Sequence, residues 1–246
     1  MPDKRKRNVV VTGGSRGLGL AIARRLAAAG YGVVAVARRK SDQLGAAMGE
    51  KHSGSLAFAA FDLGETQGIP QLARMLRKQF GPLYGLVNNA AVGTDGLLAN
   101  MKDSKIEELL RINTLAPIVL SKYLARAMMA DGGGRIVNVA SIVGFTGFSG
   151  LSVYGASKAS MLGFTRSLAR EVGRMGVNVN AVAPGFLETD MTATLDDAQK
   201  RQVARRSALK RLPHVDDVAD AVEFLLGDRA KSITGTVLTV DAGTTA

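Results

Sequence analysis

The chain contains no cysteine, and it has only two histidines, His52 and His214. The absence of cysteine excludes disulfide bonds, thiolate catalysis and zinc sites with cysteine ligands. Two histidines are also too few for the usual histidine-based metal sites, so we expect no metal centre. The chemistry of this protein must therefore come from oxygen and nitrogen side chains or from an organic cofactor.

Long apolar runs and aromatic residues are scarce as well. The longest uncharged stretch, residues 136–157, is interrupted by Asn138, serines and glycines, so it does not predict a membrane span. Aromatic residues make up only 5% of the chain and are not interleaved with the basic residues, as they are in proteins that bind single-stranded nucleic acid. We therefore expect neither a membrane span nor a nucleic-acid partner.

Basic residues exceed acidic ones by 32 to 21, which gives a formal net charge of +11. Such a charge suits an acidic protein partner, and a generally basic surface without a particular partner explains it equally well. The run from Lys4 to Arg7 is interpreted as a solvated tail, with a targeting or docking role as the alternative. The first residues, MPDKRKRNVV, lack the apolar core of a secretory signal, which favours the cytoplasm or the mitochondrial matrix.

Short runs rich in Val, Ile and Ala alternate with longer amphipathic stretches along all 246 residues. Nearly continuous apolar strands between helices are typical of a parallel sheet that is covered on both faces. We predict an α/β protein: a single doubly wound Rossmann domain over residues 1–246, with about seven parallel strands and helices on both faces. Residues 186–212 follow a strand end and are polar, and we interpret them as a lid over the substrate.

A glycine-rich segment, TGGSRGLG, separates the first predicted strand from the first helix. Gly13, Gly17 and Gly19 allow a tight turn and a close approach of the backbone to a ligand, and the helix that follows favours a pyrophosphate at its N-terminus. The spacing differs from the common G-x-G-x-x-G fingerprint. A glycine-rich turn that binds no ligand is the alternative.

The second predicted strand ends in Arg38 and Arg39, where dinucleotide-binding folds usually carry an acidic residue for the ribose 2′-hydroxyl. Arginine attracts a 2′-phosphate, so this position favours NADP(H) over NAD(H), with Arg16 as a second contact. Two solvent-facing arginines are the alternative. Asp62, at the end of the third predicted strand, is a candidate for contact with the adenine edge, and capping of that strand is its alternative role.

The segment SVYGASKAS places Tyr154 and Lys158 four residues apart. On a helix the two side chains share one face. An ammonium about 4 Å from a phenol, at an effective dielectric near 20, contributes about 4 kcal/mol, which corresponds to roughly three pKa units. We therefore predict that Lys158 lowers the pKa of Tyr154 and makes it a working acid.

Taken together, these motifs resemble the short-chain dehydrogenase/reductase superfamily over essentially the whole chain. The resemblance rests on the glycine segment, NNAA at 88–91, RINTLAP, VNVASIVG, the Tyr154–Lys158 pair and APG at 183–185. It implies that the catalytic residues are Asn113, Ser141, Tyr154 and Lys158. In these roles Ser141 hydrogen-bonds the substrate carbonyl, and Asn113 holds a water that links Lys158 to solvent.

The resemblance also implies a set of residues that bind NADP(H). With the residues already named, the full set is Gly13, Ser15, Arg16, Gly17, Leu18, Gly19, Arg38, Asp62, Leu63, Asn89, Tyr154, Lys158, Pro184, Gly185 and Thr189.

Within this superfamily the chain is most similar to the β-ketoacyl-acyl-carrier-protein reductases, including the mitochondrial ketoacyl and carbonyl reductase branch. The similarity implies NADPH-dependent reduction of a 3-oxoacyl thioester in fatty acid biosynthesis, an acidic acyl carrier protein or another acyl thioester as substrate, and a homotetramer. The chain departs from the family at several positions. Gly132 and Met175 stand where bacterial relatives have docking arginines, Ala91 and Ala242 stand where glycine is usual, and the end DAGTTA is short.

Two other functions stay open. One is an NADPH-dependent reductase or alcohol dehydrogenase that acts on a free carbonyl, such as a quinone, steroid or sugar. The other is a nucleotide-binding regulatory or scaffold subunit without turnover, against which the complete set of four catalytic residues argues.

Replacing Arg38 by Asp tests the cofactor preference. The substitution puts a negative charge next to the position of the 2′-phosphate, so we expect the KM for NADPH to rise far more than the KM for NADH. Steady-state kinetics with both cofactors measure the two constants. Equal changes for both cofactors would show that Arg38 does not read the 2′-phosphate.

Overall fold

Seven parallel strands form one sheet in the computed structural model, which describes residues 7–93, 96–187 and 197–246. The strands are β1 (Asn8–Thr12), β2 (Gly32–Ala37), β3 (Ser55–Ala60), β4 (Leu83–Asn88), β5 (Gly134–Val139), β6 (Val177–Pro184) and β7 (Val237–Val240). Their order across the sheet is β3-β2-β1-β4-β5-β6-β7. The prediction of a doubly wound parallel sheet with about seven strands is confirmed.

Eight α-helices connect and cover these strands in the described part of the chain. They are α1 (Gly17–Ala28), α2 (Asp42–Gly49), α3 (Ile69–Phe80), α4 (Asp103–Leu110), α5 (Ala116–Ala130), α6 (Ser152–Val172), α7 (Asp197–Arg206) and α8 (Val215–Leu226). A π-helical turn, Arg111–Leu115, joins α4 to α5. None of the described helices is both long and apolar enough to cross a membrane.

Both faces of the sheet are buried, as the apolar strands predict. In β1, Val9 and Val11 face a core that includes residues of α1 and α8, whereas Val10 faces the core formed with α3, α5 and α6. This alternation follows from the two-residue period of a strand. The chain reverses its direction of travel across the sheet between β3 and β4, so a crevice opens between the carboxyl ends of β1 and β4, where ligands bind in such sheets.

The C-terminal turn after β7 contains an alanine in an unfavourable conformation. Ala242 has φ +55°, and among the described residues other than glycine only Lys210 shares a positive φ. A left-handed conformation costs an L-residue roughly 1–2 kcal/mol, and glycine avoids this cost. Ala91, the other position where the family usually has glycine, does not have a positive φ. Of the two alanines, only Ala242 is therefore strained.

Replacing Ala242 by Gly tests this difference. We expect the variant to be more stable by about 0.5–1 kcal/mol, because relief of the left-handed strain exceeds the extra entropy of glycine in the unfolded chain. Urea-induced unfolding of both proteins measures the change. The matched control is Ala91→Gly, which should lower stability by about the same amount; a loss of stability in both variants would contradict the assignment of strain to Ala242.

Candidate active site

The glycine segment between β1 and α1 is shaped by close backbone contacts. Gly13 and Gly17 have φ +65° and +51°, in the left-handed region. A Cβ atom on Gly19 would lie 2.1 Å from the carbonyl oxygen of Gly13, so no other residue fits there without moving the helix away from the turn. Glycine is thus favoured at positions 13 and 17 by the backbone angles, and it is required at position 19 by the close approach of the Gly13 carbonyl.

The N-terminus of α1 is open toward the crevice. The capping residue, Arg16, makes no capping hydrogen bond with its side chain, and the first turn contains no acidic residue. A Cβ atom on Gly17 would meet nothing within 4 Å. Uncapped backbone N–H groups at a helix N-terminus suit a phosphate, so this turn fits the pyrophosphate of a dinucleotide.

Thr12 and Asn89 connect the glycine segment to the end of β4. The Thr12 hydroxyl accepts hydrogen bonds from the backbone N–H groups of Asn89 (2.9 Å) and Ala90 (3.0 Å). In return, Nδ2 of Asn89 donates to the carbonyl oxygen of Thr12 at 2.9 Å. Asn89 was predicted to bind the cofactor, and in this structure its amide stabilises the turn that would do so. No role was predicted for Thr12, although a hydroxyl residue at the end of an apolar strand is a signal for such a contact.

The residues predicted for the adenosine end of the cofactor lie after β2 and β3. Arg38 directly follows β2 and is exposed. Asp62 is exposed, and its Oδ1 accepts a hydrogen bond from the N–H of Gly64 at 2.8 Å, which is the local capping role named as its alternative. Leu63 is buried. The Ser41 hydroxyl, at the start of α2, donates a hydrogen bond to the carbonyl oxygen of Ser15, and this contact connects the glycine segment to α2.

On the other side of the crevice, Pro184 is the last residue of β6 and Gly185 follows it. The N–H of Gly185 donates to the carbonyl of Val240 at 3.0 Å, and a Cβ atom on Gly185 would lie 2.7 Å from Cβ of Asp241. Glycine is therefore required for the close packing of this turn against the C-terminal turn. Thr189 and residues 188–196 of the predicted lid lie outside the described residues.

Ser141 follows β5 and caps a short helical turn, Ile142–Gly144. The Oγ atom accepts a hydrogen bond from the N–H of Val143 at 3.3 Å. This contact leaves the hydroxyl hydrogen for the bond to Tyr154, in which Ser141 is the donor because the bond lowers the pKa of the phenol. Ser141 is 9% exposed and interacts with the side chain of Tyr154.

Tyr154 and Lys158 both lie in α6, as the spacing predicts. Nζ of Lys158 is 5.7 Å from the centre of the Tyr154 ring and donates a hydrogen bond to the carbonyl oxygen of Val139 at 2.9 Å. Only 4% of Lys158 is exposed. The structure thus brings Ser141, Tyr154 and Lys158 together at the carboxyl end of β5.

The predicted direction of the Tyr154 pKa shift is wrong for the protein on its own. Burial raises the pKa of Tyr154 to about 12, and the interaction with Ser141 only partly opposes this effect. Burial also lowers the pKa of Lys158 to about 8. The prediction considered the attraction between the two charges, but the loss of hydration penalises each charged form and is the larger effect here.

Asn113 lies in the π-helical turn and contacts residues other than Lys158. Its Oδ1 accepts from the N–H of Val92 at 2.8 Å, and its Nδ2 donates to the Val92 carbonyl at 2.9 Å and to Oγ of Ser157 at 3.2 Å. The Ser157 hydroxyl in turn donates to the carbonyl of Tyr154 at 2.7 Å. The side chain of Asn113 therefore fixes the loop after β4 to α6. Its link to Lys158 through a water stays a prediction.

A buried polar chain behind the site was not predicted. Nδ2 of Asn88 donates to Asn138 Oδ1 at 2.8 Å and to Oγ of Ser121 at 2.9 Å, and Nδ2 of Asn138 donates to Oγ1 of Thr165 at 2.8 Å. These contacts join β4, β5, α5 and α6. Asparagines within otherwise apolar strands are the sequence signal that indicates such a chain.

Replacing Lys158 by Met should stabilise the protein. A lowered pKa means that the charged ammonium destabilises the fold below about pH 8, by roughly 3 kcal/mol for the shift from 10.5 to about 8. Loss of the hydrogen bond to Val139 offsets about 1 kcal/mol, so we expect a gain of about 2 kcal/mol at pH 7.

The stability advantage of Lys158→Met should shrink as the pH rises from 8 to 10.5. In this range Lys158 is deprotonated in the folded wild type but still protonated in the unfolded chain, so the wild type becomes more stable as the pH rises. Urea unfolding across this pH range measures the difference between the two proteins. Lys78→Met, at an exposed position of α3, is the control and should show little change. A lower stability of Lys158→Met at pH 7 would refute the destabilising charge.

Comparison with known proteins points to one family. The family model described as short chain dehydrogenase matches residues 7–200. The 3-oxoacyl-[acyl-carrier-protein] reductase of Escherichia coli is 40% identical over 240 residues, which cover 95% of each chain. The human 3-oxoacyl-[acyl-carrier-protein] reductase is 41% identical over 233 residues, again 95% of each chain.

Solved structures agree in fold. A short chain dehydrogenase from Burkholderia cenocepacia in complex with NADP has a TM-score of 0.92 and 34% identity, and the match covers 99% of this chain and 100% of that one. A gluconate 5-dehydrogenase from the same organism, in complex with NADP and tartrate, has a TM-score of 0.91 and 27% identity, and the match covers 100% and 99%. The chain belongs to the short-chain dehydrogenase family.

Proposed function

We propose that this protein reduces 3-oxoacyl thioesters on acyl carrier protein to the 3-hydroxyacyl form, with NADPH as reductant, in fatty acid biosynthesis. The observation that carries this proposal is the meeting of Ser141, Tyr154 and Lys158 beside an uncapped helix N-terminus, in a chain about 40% identical over its length to 3-oxoacyl-[acyl-carrier-protein] reductases.

NADPH, when bound, supplies the hydride to the substrate carbon. On substrate binding, Ser141 turns its hydroxyl hydrogen from Tyr154 to the carbonyl oxygen and stabilises the negative charge that develops there. Tyr154 gives the proton that completes the alcohol. With a pKa of about 12 the phenol is fully protonated at neutral pH, and because an alkoxide is a stronger base than a phenolate, the proton transfer is still favourable.

The raised pKa of Tyr154 keeps the phenol in the protonated form that the reduction step needs. The reverse reaction needs Tyr154 as a phenolate that removes a proton, and burial opposes that form. Lys158, with a pKa of about 8, is charged at neutral pH and lies close enough to the ring to stabilise the phenolate left after proton transfer. Asn113 positions the helix that carries both residues, through Ser157.

The proposed cofactor contacts follow the length of the crevice. The turn at Gly13, Ser15, Arg16, Gly17, Leu18 and Gly19 holds the pyrophosphate, and Arg38, Asp62 and Leu63 lie at the adenosine end. Asn89, Pro184 and Gly185 shape the nicotinamide end, where Thr189 adds a contact from the lid. The open N-terminus of α1 and the exposed Arg38 support this arrangement.

We also propose that residues 1–246 form a single domain, with residues 186–212 as a lid, and that four copies assemble. The cytoplasm or the mitochondrial matrix is the proposed compartment, since the relatives include bacterial and human reductases.

Reduction of a free carbonyl is the second candidate. It is favoured by the similarity to a gluconate 5-dehydrogenase solved with NADP and tartrate, which covers the whole chain at a TM-score of 0.91. The catalytic residues serve both reactions, because the proton donor and the oxyanion contact do not depend on the thioester.

The deciding experiment compares initial rates of NADPH loss. We expect acetoacetyl thioester on acyl carrier protein to be reduced with a kcat/KM at least about tenfold above that of a free ketone or quinone. Tyr154→Phe is the control; it should lose turnover by a factor of about 10² or more and still bind NADPH, as fluorescence would show. A preference for the free carbonyl would overturn the thioester proposal, and turnover by Tyr154→Phe would overturn the role of the phenol.

A further inference from the structure

The C-terminal half of α7 and the turn after it form a strongly basic surface. Residues 201–211 contain five cationic side chains and no acidic one: Arg201, Arg205, Arg206, Lys210 and Arg211. All five are exposed. Arg211 pairs with Asp217 at 3.0 Å. Within the described part of the chain the other four make no ion pair with an acidic side chain, and these four are called the α7 surface below.

This surface lies at the edge of the sheet that holds the site. The N–H groups of Ala208 and Leu209 donate to the carbonyls of Gly243 and Ala242 at 3.2 and 3.1 Å. The same C-terminal turn packs against Gly185 through Asp241. The α7 surface is therefore attached to the carboxyl ends of β6 and β7, beside the proposed nicotinamide end.

Lys210 occupies a position that favours glycine. Its φ is +56°, in the left-handed region that favours glycine, at the fourth residue after the end of α7. Its Nζ donates to the carbonyl of Arg205 at 3.0 Å, which holds the ammonium over the last turn of the helix. The chain thus keeps a cation at a strained position that glycine would relieve, and strain of this kind is commonly found at functional sites.

The spacing of the charges fits a partner larger than one phosphate group. Arg201 and Arg205 are one helical turn apart, and the positions from Arg201 to Arg206 extend over roughly 7.5 Å at the rise of a helix. An acidic helix of a protein partner presents carboxylates at a comparable spacing.

We propose that the α7 surface docks the acidic carrier protein that delivers the acyl thioester. The proposal rests on the proposed function. It assigns carrier recognition to the lid side of the crevice. Long-range attraction places the carrier so that its thioester reaches Ser141 and Tyr154, and it affects KM more than kcat.

The test is the charge reversal Arg201→Glu/Arg205→Glu, assayed with acetoacetyl thioesters of carrier protein, coenzyme A and N-acetylcysteamine. We expect kcat/KM for the carrier substrate to fall about tenfold more than kcat/KM for either small thioester, with a weaker dependence on salt. An effect of the lid on catalysis itself is shared by all three substrates and cancels in this ratio. The matched control is Arg74→Glu/Lys78→Glu, an exposed pair of the same spacing and charge on α3, and it should leave all three substrates unchanged.

Lys210→Gly separates docking from folding. We expect this variant to be at least as stable as the wild type in urea, because the left-handed strain is relieved, and yet to show a KM for the carrier substrate that rises about threefold more than the KM for the small thioesters. If KM for the carrier substrate is unchanged both in Lys210→Gly and in Arg201→Glu/Arg205→Glu, the proposal is overturned.

An equal rise for the coenzyme A thioester would overturn it as well, because the surface would then read the phosphates of the substrate. If the wild type reduces none of the three thioesters, the proposed function itself fails, which is a different outcome from loss of the carrier preference.

Discussion

The ammonium of Lys158 is buried in the interior with one backbone carbonyl, that of Val139, as its hydrogen-bond acceptor, and the geometry of the site depends on this contact. A charge in such a place destabilises the fold, and other contacts must hold its surroundings in position. The polar chain from Asn88 through Asn138 to Thr165 does this, because it binds α6 to the same strands that end at the site. The position of Tyr154 follows from that of the helix.

Stability and activity therefore favour different residues at the carboxyl edge of the sheet. An apolar side chain at position 158 and glycine at positions 210 and 242 would each suit the fold better than the residues present. Proteins commonly keep such unfavourable features near the groups that react, since selection maintains activity once stability is sufficient. For Lys158 the gain is a charge beside the phenol. At Ala242 nothing in the structure explains why alanine is kept.

Sequence patterns were sufficient to predict the sheet and the placement of Tyr154 and Lys158 on one helix. Val9, Val10 and Val11 reveal a strand that is buried on both faces, and the spacing of Tyr154 and Lys158 places them on one face of a helix. The pKa values did not follow from spacing, because they depend on how much water each group loses, and burial appears only in the folded chain. The contacts of Asn113 with Val92 depend on a π-helical turn for which the sequence carries no clear signal. Ala91 and Ala242 look equivalent as departures from glycine, and only the backbone angles separate them.

Two backbone hydrogen bonds, from Ala208 and Leu209 to the C-terminal turn, hold the end of α7 against the sheet. Ser207 also stabilises this end. Its Oγ lies 2.8 Å from the carbonyl oxygen of Ala204 and 2.9 Å from that of Arg211, so the hydroxyl can donate a hydrogen bond to either one. The last six residues of the chain thus hold the C-terminal end of α7 in place, and a truncation that removes them would also remove both of these bonds.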